Sequence, residues 1–206
     1  MTNGTAPLRI AFVLFPAFAA LDVFGPLGAL NMASFEHPMT LALISTDLEP
    51  ISIDRKIIDG FYRVDVIIVP GGHGTFDMEL TQPHVDYLHA QMENPDLSYI
   101  MTVCTGASLL ARTGAMAGRN ATTNKAAFEW VQSVENATDI NWIAKARWVV
   151  DGNLWTSSGV SAGTDMTLGW LEHLFGKNES ERVRIYLEWN KLEQDDDPFA
   201  ELLGLV

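Results

Sequence analysis

The chain has few basic residues and only one cysteine. Of its 206 residues, 13 are Lys or Arg and 26 are Asp or Glu, which gives a formal net charge of -13 at pH 7. Nucleic acids and anionic membranes bind basic patches, so we expect neither as a partner. A single cysteine excludes an internal disulfide and is typical of a reducing compartment, which favours a cytoplasmic location.

Long hydrophobic runs are also lacking. No stretch approaches the ~18 apolar residues of a membrane span. Residues 10–21 follow Arg9 and have some features of a signal peptide, but Pro16 interrupts the run and one charge precedes it. We interpret this run as a strand followed by a turn.

Apolar, strand-like runs alternate with helical patterns along the chain. The patterns predict strands over 9–15, 39–45, 65–69 and 98–103, a hairpin over 146–157, and helices over 22–33, 82–93, 107–112, 125–134, 161–175 and 179–189. The acidic residues 195–197 are interpreted as a solvated turn. The alternation predicts one α/β domain over residues 1–206, a flavodoxin-like three-layer sandwich with a mostly parallel sheet and helices on both faces.

The one cysteine, Cys104, lies where a predicted strand turns into a helix. Thr105 and Gly106 follow it, and this strand, tight turn and helix are typical of a nucleophile elbow. Free N–H groups and the positive end of the helix dipole would favour a thiolate there, so we expect an acidic, reactive thiol. The alternative is an inert buried cysteine.

Two other features are predicted at the same edge of the sheet, beyond the carboxyl ends of the strands. Gly71 and Gly72 follow a buried strand, and their amides could form an oxyanion hole with the amide of Thr105, or simply a sharp turn. Asp22 follows the first strand among apolar residues. It is either a helix N-cap or a carboxylate whose pKa is raised by desolvation and which exchanges protons with a nucleophile.

Histidine and metal-ligand patterns are less informative. His73 follows the glycine pair and could face the site, but its position favours an exposed loop histidine. No spacing of histidines and carboxylates predicts a metal site.

Several segments together resemble the ThiJ/PfpI superfamily, whose fold is similar to that of class I glutamine amidotransferases. The matching segments are 14–18, 21–26, 65–72, 103–107, 121–123 and 161–165. Within the superfamily, Asp22 in a Leu-Asp-x-x-Gly-Pro pattern, together with Cys104-Thr105-Gly106, is most similar to the isocyanide (isonitrile) hydratases and their fungal relatives. Transcription factors that carry this domain add a helix-turn-helix module, which we do not expect here.

The resemblance implies a reaction and a set of roles. Cys104 would attack the terminal carbon of a small isocyanide, Asp22 would exchange protons with that carbon and with water, and Thr105 would support Asp22 or the water. The product would be an N-substituted formamide, so the enzyme would be a hydro-lyase that needs no cofactor and no metal. The resemblance also implies a homodimer, and oxyanion or substrate binding by Gly71, Gly72 and Gly106.

The sequence departs from the family pattern at two places. Asn124 follows Ala-Thr-Thr where members often carry His, and the segment between Leu48 and Tyr62 is short. Two alternative functions remain open: a glyoxalase or deglycase acting on small aldehydes, and a redox-sensing, non-enzymatic stress protein that uses the same Cys104.

Overall fold

The computed structural model describes residues 8–44, 50–52 and 63–206, so most of the segment between Leu48 and Tyr62 lies outside the described residues. The strands are β1 (Leu8–Val13), β2 (Met39–Ile44), β3 (Pro50–Ser52), β4 (Val66–Val69), β5 (Tyr99–Val103), β6 (Asn120–Ala121), β7 (Asn141–Trp142), β8 (Trp148–Asp151) and β9 (Leu154–Ser157). The α-helices are α1 (Ala20–Ala33), α2 (Met78–Met92), α3 (Gly106–Arg112), α4 (Phe128–Ser133), α5 (Ala162–Phe175), α6 (Lys177–Tyr186) and α7 (Phe199–Leu202).

The described residues form a seven-stranded central sheet in the order β3-β2-β1-β4-β5-β9-β8. Its inner pairs are parallel, whereas β3 and β8 at the two edges run antiparallel to their neighbours. The predicted fold class is therefore confirmed. The predicted hairpin is also found, since β8 and β9 pair across Gly152, whose φ is 57°.

Helices cover both faces of this sheet, which explains the continuous apolar strands. All four residues of β4 are buried, as expected for a parallel strand with both faces covered. Along β1, Ala11 and Val13 contribute to one core cluster, whereas Ile10 and Phe12 contribute to the other. Successive side chains thus point to opposite layers.

Two helices differ from the sequence-based expectation. α2 begins at Met78, about one turn before the predicted start, because the Asp77 side chain accepts a hydrogen bond from the Leu80 amide and caps the helix. The helix predicted over 125–134 is divided into a 3-10 turn at Lys125–Ala127 and α4.

The acidic cluster near residue 197 is the clearest correction, because it is not simply a solvated turn. Asp197 is buried, and its carboxylate forms an ion pair with the buried Lys125 at 3.2 Å. The other carboxylate oxygen accepts a hydrogen bond from the Phe199 amide, at the start of α7. The final residues are thus fastened onto the domain.

The fold brings the carboxyl ends of three adjacent parallel strands, β1, β4 and β5, to the same end of the sheet. Phe18, in the loop after β1, forms an isolated bridge with Gly72, which lies beyond β4. Cys104 follows β5, which pairs with β4. None of the helices in the described part of the chain has the length and apolar character needed to cross a membrane.

Candidate active site

Cys104 occupies a strained turn between β5 and α3. Its φ is 58°, a left-handed conformation that is uncommon for a residue other than glycine. The turn is held on both sides, since the Cys104 amide donates to the carbonyl of Ser158 (2.9 Å) and the Cys104 carbonyl accepts from the Thr123 hydroxyl (2.8 Å). The predicted strand, tight turn and helix are therefore present, in the geometry of a nucleophile elbow.

Asp22 lies in the first turn of α1 and is fully buried. It does not cap its own helix, because Ala19 occupies the N-cap position. One carboxylate oxygen, Oδ2, accepts a hydrogen bond of 2.9 Å from the amide of Gly71. The other, Oδ1, is buried and has no hydrogen-bond partner among the residues that the structure describes. Oδ1 is therefore the carboxyl oxygen that is available to exchange a proton with a reacting group.

The surroundings of Asp22 raise its pKa to about 6. Burial is the main cause, since it disfavours the charged form, while the Gly71 amide and the Cys104 thiol act in the opposite direction. The thiol is thus close enough to stabilise the carboxylate. A carboxyl group with this pKa can both accept and return a proton near neutral pH.

The expectation of an acidic thiol at Cys104 is wrong. Burial raises the pKa of the thiol, and the negative charge of Asp22 raises it further. The amides of Thr105 and Val160 and the side chain of Asn124 lower the pKa, but their effect is smaller. Cys104 therefore rests as a thiol beside a base, rather than as a thiolate.

Asn124 is the contact that the sequence analysis missed. Its side-chain amide nitrogen lies 3.1 Å from Cys104 Sγ and donates to the sulfur. Its carbonyl oxygen accepts from the amides of Ala126 (2.9 Å) and Ala127 (3.2 Å), which fixes the orientation of the side chain. The position directly after Ala-Thr-Thr is the available signal in the sequence, because an amide there can donate a hydrogen bond where family members often carry His.

The glycine pair lies against the elbow but does not offer free amides. The Gly71 amide is bonded to Asp22, and the Gly72 amide donates to the hydroxyl of Thr105 at 3.0 Å. This differs from the expected oxyanion hole. The glycines serve close packing instead, since a Cβ at residue 71 would lie 2.5 Å from the Thr105 amide nitrogen and Gly72 has a φ of 133°.

One expected role of Thr105, hydrogen bonding to Asp22, is not found. The Thr105 hydroxyl is hydrogen-bonded to Gly72 and to Thr75 Oγ1 (3.0 Å), not to Asp22. The Thr105 main chain instead contributes to the site, as its amide favours the ionised sulfur. Gly106 begins α3 and packs against β4, where a Cβ would lie 2.3 Å from the carbonyl oxygen of Val69.

His73 does not join this group. It is exposed, and its ring centroid lies 5.5 Å from that of Phe76. Across the described residues, no three His, Cys, Asp or Glu side chains come close enough together to hold a metal ion.

A small cavity lies next to Asn124, the residue whose side chain contacts the thiol. Its volume is about 220 Å³, and its lining includes Asn124 and Val160. The side chain of Asn124 and the amide of Val160 both lower the pKa of the Cys104 thiol. The 158–161 turn forms another part of the wall, together with α7. The volume lies below the about 300–1,000 Å³ of pockets for drug-sized ligands, which favours a small substrate.

Comparisons with known proteins identify the family of this chain. The model of the DJ-1/PfpI family matches residues 8–173. The sequence is 31% identical over 189 residues to isonitrile hydratase of Pseudomonas putida, an alignment that covers 88% of this chain and 78% of that protein. It is 28% identical over 213 residues to the HTH-type transcriptional regulator GbdR of Pseudomonas aeruginosa, covering 96% of this chain but 56% of the regulator.

Solved structures agree on the fold. DJ-1beta of Drosophila melanogaster superposes with a TM-score of 0.67 at 21% identity, over 89% of this chain and 98% of that chain. A ThiJ/PfpI protein of Pseudomonas syringae gives a TM-score of 0.67 at 20% identity, over 94% of this chain and 78% of that one.

Proposed function

The chain belongs to the DJ-1/PfpI family, and we propose that within this family it is a cysteine-dependent hydratase that converts small isocyanides to N-substituted formamides. The observation that carries the proposal is the position of Asp22 next to the cysteine elbow: the Gly71 amide donates to Asp22, and Gly71 packs closely against the Cys104 side chain. The buried carboxyl group has a pKa of about 6, and its charge raises the pKa of the thiol. The similarity to the isonitrile hydratase of Pseudomonas putida supports the same reaction.

The first step joins the sulfur to the isocyanide carbon. Asp22 accepts the proton of the Cys104 thiol and delivers it to the terminal carbon of the isocyanide as the sulfur–carbon bond forms. The product of this step is a thioimidate, in which the former isocyanide carbon carries one hydrogen and remains doubly bonded to nitrogen. The net charge of the site does not change in this step, since the thiol proton ends on the carbon and Asp22 is ionised before and after it.

The second step releases the product. Asp22, ionised again after the first transfer, takes a proton from water as the water oxygen adds to the thioimidate carbon, and passes this proton to the nitrogen. The new hydroxyl group then gives its proton to Asp22 as the carbon–sulfur bond breaks, which forms the carbonyl of the formamide, and Asp22 returns that proton to the leaving sulfur. The Asn124 side chain is positioned to stabilise the leaving sulfur by hydrogen bonding, since its amide nitrogen lies 3.1 Å from Sγ.

The site favours this reaction over the two alternatives. A redox-sensing cysteine depends on an exposed, low-pKa thiolate, whereas Cys104 is buried and its thiol pKa is raised. A glyoxalase or deglycase function predicts a Glu near the thiol and a histidine near residue 124. Here the contacting carboxylate is Asp22 and the contacting side chain at 124 is an amide.

The test is formation of a formamide from cyclohexyl isocyanide. The wild-type protein should turn over the isocyanide, Cys104→Ala should be inactive, and Asp22→Asn should lose at least about a hundredfold in rate, as expected for loss of a general acid–base group. Asp139→Asn, which alters an exposed carboxylate, is the matched control and should retain wild-type activity. Lack of turnover by the wild-type protein, or activity that survives Cys104→Ala, would exclude the proposed reaction.

A further inference from the structure

We infer that the cavity beside Asn124 is an apolar subsite for the substituent of the molecule that meets Cys104, and that α7 supplies its selective wall. Describing that molecule as an isocyanide rests on the proposed function. The subsite itself rests on the geometry of the cavity and can be tested without the hydratase reaction.

The cavity is connected to the sulfur by Asn124, a lining residue that contacts Sγ directly. The Asn124 side chain donates to Sγ over 3.1 Å, and the Val160 amide also interacts with the sulfur. Both residues border the cavity. A small molecule that presents its reactive carbon to Cys104 can therefore place the rest of its structure in the cavity.

The outer wall of the cavity is apolar. Phe199 and Leu203, on and directly after α7, line it from one side, and Val160 and Ala126 contribute from the other. Phe199 is 47% exposed and Leu203 is 51% exposed. An apolar substituent in the cavity would remove part of this surface from water, which is a favourable contribution to binding.

The two cations that border the cavity already have partners. Lys125 is paired with Asp197 and also donates to the Thr122 hydroxyl and to the Ala146 carbonyl. Arg147 is paired with Asp165 at 2.6 Å. Because these charges are compensated, the cavity favours a neutral substituent over an anion.

The position of α7 depends on the same residues. Asp197 pairs with Lys125, the residue next to Asn124, and also accepts a hydrogen bond from the Phe199 amide. The apolar wall is therefore fastened directly to the segment that contacts the sulfur. This connection makes α7 a specificity element of the site rather than a peripheral helix.

The decisive experiment uses Cys104 as its own reporter, since the chain has no other cysteine. Two reagents, N-methyl iodoacetamide and N-cyclohexyl iodoacetamide, alkylate the thiol with loss of iodide and formation of a thioether. Their rates are each divided by the rate with free glutathione. We expect the folded protein to prefer the cyclohexyl reagent by about tenfold, the discrimination that a hydrophobic pocket gives between substituents of different size.

Matched variants locate the preference. Leu203→Ala and Phe199→Ala should each reduce the preference for the cyclohexyl reagent by about threefold or more. Leu202→Ala, on the same helix but outside the cavity lining, and Phe35→Ala, an exposed aromatic elsewhere, should leave it unchanged. An unchanged rate with the methyl reagent shows that a variant is folded.

The outcomes separate the subsite from the proposed function. Equal corrected rates for the two reagents, or equal effects of Leu203→Ala and Leu202→Ala, would overturn the subsite even if isocyanides are hydrated. A cyclohexyl preference that Leu203→Ala reduces would support the subsite even if the protein hydrates no isocyanide. If it does hydrate them, Leu203→Ala should raise KM for cyclohexyl isocyanide, whereas Leu202→Ala, outside the cavity lining, should not.

Discussion

At the scale of single residues, the site is a set of three side chains that modify one another. The Cys104 thiol makes Asp22 easier to ionise, whereas burial and the negative charge of Asp22 make Cys104 harder to ionise. Asn124 acts in the other direction by donating to the sulfur. The chemistry of the site therefore depends on where one proton lies, and substitutions at these positions have predictable signs.

Asn124→Asp removes the hydrogen-bond donor to the sulfur and keeps the hydrogen bonds that the side chain accepts from the backbone. The aspartate can still accept from the amides of Ala126 and Ala127, but it cannot donate to Sγ and it adds a negative charge. The pKa of the Cys104 thiol should rise, and alkylation by iodoacetamide at neutral pH should slow by roughly tenfold, the effect of one pKa unit. Asn124→Asp reacting as fast as wild type would show that the Asn124 donor does not influence the sulfur.

Asp22→Asn should change how stability depends on pH. The folded-state pKa of Asp22, about 6, lies above its ordinary value of 3.8, so protonation stabilises the folded protein. That stabilisation is complete below pH 3.8 and is lost as the pH rises through about 6. Asn carries no charge, so the variant should gain up to about 3 kcal/mol over wild type above this window.

Urea denaturation across this pH range measures the difference in the free energy of unfolding between Asp22→Asn and the wild-type protein. The gain of Asp22→Asn over wild type should be absent at the acid end and appear between pH 3.8 and about 6. Asp139→Asn serves as the control and should show no such pH-dependent gain. A stability difference that is independent of pH would mean that Asp22 is not desolvated as the structure indicates.

At the scale of elements, the C-terminal segment is the least expected part of the site. Asp197→Asn leaves the buried Lys125 without its ion-pair partner and should destabilise the protein by about 3 kcal/mol. Asp195→Asn, two residues away and exposed, is the control and should have little effect. Urea denaturation checks both. Equal stability of Asp197→Asn and Asp195→Asn would contradict the role given to the ion pair.

Elements that local sequence patterns determine can be predicted from the sequence, whereas features that depend on contacts between distant residues cannot. Strands such as β4 and β5 are buried on both faces, so their apolar runs identify them and place Cys104 at the sheet edge. The ion pair between Lys125 and Asp197 joins residues far apart in sequence, and no local pattern distinguishes Asp197 from its acidic neighbours. The same limit applies to the thiol pKa, which depends on burial and on Asp22 and therefore needs the folded structure.

At the scale of the whole molecule, we propose a homodimer. The proposal comes from the family resemblance, and it is supported by two apolar side chains of α1 beside Asp22: Leu21 is 42% exposed and Phe24 is 54% exposed. Light scattering should give twice the chain mass of 22.7 kDa. Phe24→Glu should shift the protein toward the monomer mass, whereas Phe35→Glu should not. A monomer mass for the wild-type protein would contradict the proposal.

The central claim is that Asp22 and Cys104 form one proton-transfer pair, and a pH titration of thiolate absorbance tests it most directly. Cys104→Ala provides the blank, which isolates the signal of the one cysteine. Because the Asp22 charge raises the pKa of the thiol, the titration midpoint of Asp22→Asn should lie below that of the wild-type protein. Identical midpoints would show that the carboxyl group and the sulfur do not interact, and would contradict the account.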